Sequence, residues 1–186
     1  MSTTTKKNGY TSLGSKITYD PEQKFDNKKM RHYSDGKTFV LHCHHYATLF
    51  TQLACDAEDM GGTTLLAEAG RETFGEVLSD YYQKHDIKEL PDRIAIAEQY
   101  FSFVGMGKIE FNFAKNDGFA IMEKSHVDEG WKKKWGNNET PINWMGVGYI
   151  QAVWGSVFGK DPAKCTVKET QSIVCGASNS RFSISW

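Results

Sequence analysis

The sequence predicts an α+β domain: an antiparallel sheet of about four strands covered by about four helices, in the order ααα-ββ-α-ββ. Three observations predict it. Apolar residues recur every three or four positions between 46 and 101, and they alternate with polar ones over 108–113 and again over 181–186. Between the two alternating regions lies a long apolar run, Thr140 to Gly159, without a single charged side chain.

Taken in order, residues 1–30 mix Gly, Asp, Lys and Gln with few large apolar groups. They are expected to be weakly ordered, with at most a short extended piece around Lys16-Ile17-Thr18-Tyr19 before the Asp20-Pro21 turn. Residues 31–186 are expected to form one ligand-binding domain, because 186 residues with 39% hydrophobic and 13% aromatic content suffice for one core and no composition break suggests two. Lys37 to Leu41 is apolar enough to be buried. Tyr46, Leu49, Phe50, Leu53 and Ala54 then repeat at helical spacing, giving a first helix near 44–59 that ends at Gly61-Gly62.

A second helix near 63–83 follows from Leu66, Ala69, Thr73, Val77 and Tyr81 beside Leu65, Phe74 and Leu78. A third, near 91–103, opens with Pro91-Asp92, proline being tolerated where its missing N–H would have no partner. Ile109, Phe111 and Phe113 alternate with Lys108, Glu110 and Asn112, so 108–113 reads as a half-buried strand. The Asn116-Asp117-Gly118 turn returns the chain as a second strand near 119–124. Gly105 and Gly107 suggest a bulge or a close backbone approach.

Ser125 to Trp131 reads as a solvated loop. Thr140-Pro141 looks like the start of a fourth helix, near 141–158, with Ile150, Val153, Trp154, Val157 and Phe158 on its apolar face. Its Asn143, Gln151, Ser156 and four glycines make it too polar for a bilayer span and suit it to a protein core. Strands near 165–171 and 181–186 finish the chain.

Charge and cysteine usage narrow the function. Lys and Arg number 22 against 23 Asp and Glu, which points to neither a nucleic-acid surface nor an anionic membrane, and leaves a small molecule or another protein, such as a second copy in a homodimer, as partner. Cys43, Cys55, Cys165 and Cys175 fit neither a zinc ribbon nor a dense disulfide framework, and no signal peptide is legible, so the cytoplasm is the expected compartment.

The densest chemistry is His42-Cys43-His44-His45-Tyr46, which holds three of the six histidines. It is expected where a strand or loop enters the first helix. Free N–H groups and the positive end of the dipole would favour a thiolate there, and a cationic imidazole would favour it further. Cys43 is thus a candidate nucleophile, with His42, His44 and His45 as candidate bases. A transition-metal or haem ligand set is the alternative use of the same histidines, and no cofactor is identified. Candidate ligand-binding residues are Tyr46, Phe111, His126, Trp144, Tyr149 and Trp154.

From Gly105 to Trp186 the chain resembles the 4-vinyl reductase domain family, small ligand-binding domains related in fold to subunits of vesicle-tethering complexes. The resemblance rests on Gly148-Tyr149 and Gly159 in the fourth helix, then Glu169, Gly176 and Phe182. It implies a pocket between helices and sheet for a hydrophobic or aromatic ligand. Many members bind zinc through the glutamate and two cysteines; here Ser172 and Ser180 stand in the cysteine places, and no metal is expected. A weaker similarity to the aminothiazoline-carboxylate hydrolase family implies an enzyme using Cys43 with His42 or His45. The sequence therefore reads as a binding domain for a hydrophobic or aromatic small molecule, with a hydrolase-like enzyme as the alternative.

Overall fold

In the computed structural model of the protein, which describes residues 9–40 and 43–186, a small antiparallel sheet comes first. Its strands are β1 (Gln23–Asp26), β2 (Arg31–Ser34) and β3 (Lys37–Phe39), in the order β1-β2-β3. Asp26 accepts from the amides of Lys28 and Lys29 in the first turn, and Asp35 and Gly36 both take left-handed backbone in the second. The structure thus differs from the expectation of weak order at 23–26. These strands are too short and too polar to show a period, and their turns rather than their apolar residues define them. Val40, expected to be buried, is 75% exposed, and Leu41 and His42 lie outside the described residues.

Three helices follow: α1 (His44–Asp56), α2 (Gly62–Lys84) and α3 (Leu90–Phe103). The helical period of α1 was legible, but its buried face was not. Small residues, Ala47, Thr48, Thr51 and Ala54, are buried, while Tyr46, Leu49, Phe50 and Leu53 are exposed. Residues 15–19 form no strand and instead run along α3, tied by Ser15 Oγ to Asp92 and by Gln99 to the Ile17 carbonyl and Tyr19 amide.

The main sheet begins with β4 (Gly107–Phe113) and β5 (Asp117–Ser125). The pairing slips between Lys108 and Ile109, the bulge that the glycines suggested. Gly107 sits there at φ 131° against the Lys124 carbonyl, where a side chain would have no room.

Next comes a helix where a solvated loop was expected: α4 (His126–Trp135). Ser125 caps it by accepting from the Asp128 amide, three lysines occupy its last turn, and Val127 and Trp131 are buried. α5 (Trp144–Phe158) starts later than Thr140-Pro141 implied, because Asn143 is the cap, its side chain accepting from the Gly146 amide. β6 (Thr166–Gln171) and β7 (Ser180–Ser185) complete an antiparallel sheet ordered β4-β5-β7-β6. The four-stranded sheet is as expected; five helices, not four, accompany it among the described residues, with the small sheet in front.

α5 is buried on nearly every side, packed chiefly against α2 and also against α3 and β6. Its core companions are Ile109, Phe111 and Phe113 of β4, Ala120 and Met122 of β5, and Phe182 and Ile184 of β7. No helix among the described residues is long and apolar enough to cross a membrane. α2 and α5 touch backbone to backbone at Gly148, where a methyl group would collide with the Ala67 carbonyl oxygen. Gly75, whose nearest neighbour would be the Ala152 methyl at 3.8 Å, has room. Gly148→Ala is therefore expected to cost about 3 kcal/mol in urea unfolding, whereas Gly75→Ala is expected to leave stability unchanged or raise it by up to about 1 kcal/mol.

Candidate functional site

The small sheet stands off α2 and α3 and encloses with them a cavity of about 1040 Å³. The walls come from Phe74, Val77 and Tyr81 of α2, Tyr100 and Phe103 of α3, Met106, and Met145 of α5, with Phe39 and Tyr19 closing over them. The aromatic rings brace one another: Tyr19 lies 4.6 Å from Tyr81, 5.5 Å from Tyr100 and 5.1 Å from Phe103, centroid to centroid. The Tyr81 hydroxyl accepts from the Asp20 amide and so fixes the strap beside the rings.

The lining also carries charge. Lys37 of β3 pairs with Glu76 and Asp80 of α2, and Asp35 in the β2–β3 turn pairs with Lys84 and His85. Burial opposes ionisation of Asp35, but hydrogen bonds from Lys84, His85 and the Glu22 amide outweigh it and hold its carboxyl below the usual range. The Asp80 and Glu76 carboxylates hold Lys37 above its usual value. The small sheet is thus tied to α2 by ion pairs, while apolar surface faces inward.

The residues nominated from sequence fall elsewhere. Cys43 is exposed and caps α1, with Sγ 3.6 Å from Nδ1 of His45. His44 opens α1, His42 lies outside the described residues, and Tyr46 is 57% exposed. Phe111 is buried and stacks on Phe113, and its amide donates to Glu98. Trp154 is buried between Phe158 and Trp186, Trp144 is half-buried at the start of α5, and His126 begins α4 with its amide on the Met106 carbonyl.

Tyr149 is fully buried and donates its hydroxyl to the Ala97 carbonyl at 2.6 Å. Apart from His42 and the His44 side chain, which lie outside the described structure, none of these residues lines the large cavity. Tyr149 packs against one of its walls, its ring 5.0 Å from that of Phe74. The wall residues Phe74, Val77, Tyr81 and Tyr100 were visible as helical periodicity, but periodicity does not tell a cavity wall from a filled core.

The stretch that resembles a zinc site forms a buried polar junction of α4, α5 and the β6–β7 hairpin. Asp128, Asn143, Glu169, Ser172 and Ser180 are all buried there. Asn143 Nδ2 donates to Asp128 and to Ser125 Oγ, and Ser180 Oγ accepts from the Ile173 amide. Both Glu169 carboxyl oxygens, Asp128 Oδ1 and Ser172 Oγ have no partner in hydrogen-bond geometry among the described residues. Burial, aided by the Asp128 charge, pushes Glu169 up to about 7; Ser172, Ser180 and the Asn143 amide stand close enough to offset this only in part. Burial raises Asp128 as well.

This set does not fit zinc. It offers hydroxyls where thiolates would be needed, and the thiol of nearby Cys175, an exposed residue, is pushed up by partial desolvation and by the Glu169 charge, which disfavours the thiolate. Among the described residues, no three His, Cys, Asp or Glu side chains are grouped to hold a metal.

No family model and no curated protein matches the chain. Among solved structures, it is similar in fold to the phenol-responsive sensory domain of the transcription activator PoxR, solved with phenol. The likeness has a TM-score of 0.69 and 14% identity, and covers 88% of this chain and 84% of that one. A trafficking protein particle complex subunit 3 from Naegleria fowleri, covalently bound to palmitic acid, aligns with a TM-score of 0.47 and 11% identity over 76% of this chain and 93% of its own.

The Glu169 junction makes stability depend on pH with a defined sign. An acid whose folded pKa is raised stabilises the fold while it is protonated and loses that contribution as pH climbs from its unfolded to its folded value. Unfolding of the wild type is therefore expected to become easier between pH 4.5 and about 7, by roughly 3 kcal/mol in all. Glu169→Gln is expected to flatten that window in urea titrations, and metal analysis of both proteins is expected to show no stoichiometric zinc.

Proposed function

We propose that the protein is a small-molecule-binding domain whose hydrophobic or aromatic ligand occupies the cavity between the small sheet and the α2–α3 pair. The observation that carries this reading is the cavity itself: about 1040 Å³, lined largely by aromatic and aliphatic side chains, with its charged groups engaged in ion pairs. The fold likeness to a sensory domain solved with phenol, and the resemblance of the C-terminal half to 4-vinyl reductase domains, support the same reading. Of the residues nominated from sequence, Tyr149 serves the site by setting the Phe74 and Tyr100 rings. The proposal keeps the cytoplasm as the place of action, in accord with four free thiols. The test is calorimetric titration with 2-naphthol. Wild type is expected to bind it, and Val77→Trp, which fills the cavity from α2, is expected to weaken binding by at least about tenfold, or ~1.4 kcal/mol. Equal affinity in a folded variant would remove the cavity from the argument.

A second reading, an enzyme with Cys43 as nucleophile and His45 as base, is favoured by one observation. The thiol is exposed at a helix N-terminus and lies 3.6 Å from an imidazole nitrogen. Cys55 is the internal reference, because burial raises its pKa. Iodoacetamide labelling of folded protein, followed by peptide mapping, is expected to modify Cys43 faster than Cys55 at neutral pH. A Cys43 that reacts no faster ends the nucleophile reading.

A further inference from the structure

The cavity wall contains a tyrosine hydroxyl that no protein group among the described residues engages. Of the four buried tyrosines, three engage the backbone: Tyr81 accepts the Asp20 amide at 3.1 Å, Tyr82 donates to the Arg93 carbonyl at 2.8 Å, and Tyr149 donates to the Ala97 carbonyl at 2.6 Å. Tyr100 is only 8% exposed and lines the cavity, yet no group among the described residues is hydrogen-bonded to its hydroxyl. The hydroxyl oxygen stays open to the cavity rather than sealed in the core, so a ligand can reach it, and one that offers an acceptor replaces water there with a directed hydrogen bond. Burial pushes Tyr100 up to about 12 despite the nearby Lys37 charge, so it remains a donor at neutral pH.

Charge and volume define what that donor would meet. The ionic groups among the described residues of the cavity lining pair off, Lys37 with Asp80 and Lys84 with Asp35, which disfavours an ionic ligand. The volume of about 1040 Å³ stands at the upper end of the range of about 300–1000 Å³ that suits drug-sized ligands. A single phenol ring would leave most of it empty.

We infer that Tyr100 determines specificity by donating a hydrogen bond to an oxygen of a neutral ligand with two or more rings, or comparable apolar bulk. This rests on the cavity being the binding site. The test is titration of naphthalene, 2-acetylnaphthalene and 2-naphthoate into wild type and Tyr100→Phe. In wild type the carbonyl stretch of bound 2-acetylnaphthalene is expected to shift to lower frequency. In the variant that shift is expected to vanish and the ketone to bind about tenfold more weakly, while naphthalene changes by less than about twofold. Ketone and naphthalene affected equally, or neither affected, would show Tyr100 to be plain wall and leave the cavity reading standing. Naphthoate binding more tightly than the ketone would overturn the neutral-ligand inference. No binding of any probe to wild type would overturn both this inference and the cavity reading.

Discussion

The backbone contact between α2 and α5 is the constraint on which the rest of the structure depends. α5 carries no charge and is apolar on nearly every side, so it is stable only if it is covered on nearly every side. The sheet covers part of it with Phe111, Phe113, Met122, Phe182 and Ile184. α2 must cover much of the rest, and it can do so closely only because residue 148 has no side chain to strike the Ala67 carbonyl. That approach fixes the roll of α2. One face meets α5, and the next, bearing Phe74, Val77 and Tyr81, is turned toward β3 and becomes the cavity wall. Cavity and core are therefore two consequences of one helix packing.

What closes the cavity differs in kind from what builds it. The small sheet meets α2 through Lys37 with Glu76 and Asp80, and through Asp35 with Lys84 and His85. Partly exposed pairs of this sort contribute about 0–1 kcal/mol each, little beside the apolar burial under α5. The aromatic contact of Tyr19 with Tyr81, Tyr100 and Phe103 comes from the strap, not from the sheet itself. The body of the domain is thus held by packing, while its cover is held mainly by charge.

The sequence disclosed elements more readily than faces. The α2, α3 and α5 periods and the alternation in β4 and β7 were plain, since each repeats over several turns or pleats. α1 shows the limit: its large residues, Tyr46, Leu49, Phe50 and Leu53, point outward, and its small ones pack. α4 was missed because it buries only two large apolar residues, Val127 and Trp131, although Ser125, Asp128 and the run Lys132 to Lys134 spell a cap, an acidic first turn and a basic last turn. The three short strands at the front were illegible for the same reason, being specified by turns. For the site, the nominated tryptophans and tyrosines were judged by size, and size selects core residues as readily as cavity walls.

The position of Cys43 bears on the choice between a binding domain and an enzyme. A catalyst needs its reacting group within hydrogen-bond reach of the bound molecule. Val40 belongs to the cavity lining, whereas neither Cys43 nor His45 does, and residues 41 and 42 between them lie outside the described residues. Both are exposed, as are the large side chains Tyr46, Leu49 and Phe50 on the same helix, while the small Ala47 and Thr48 between them are buried. Catalysis through an exposed thiol requires neighbouring groups that shelter the substrate, since on an open surface water competes for every polar contact. The binding reading requires no such separation, because Tyr100, the ring cluster and the enclosed volume already share one place.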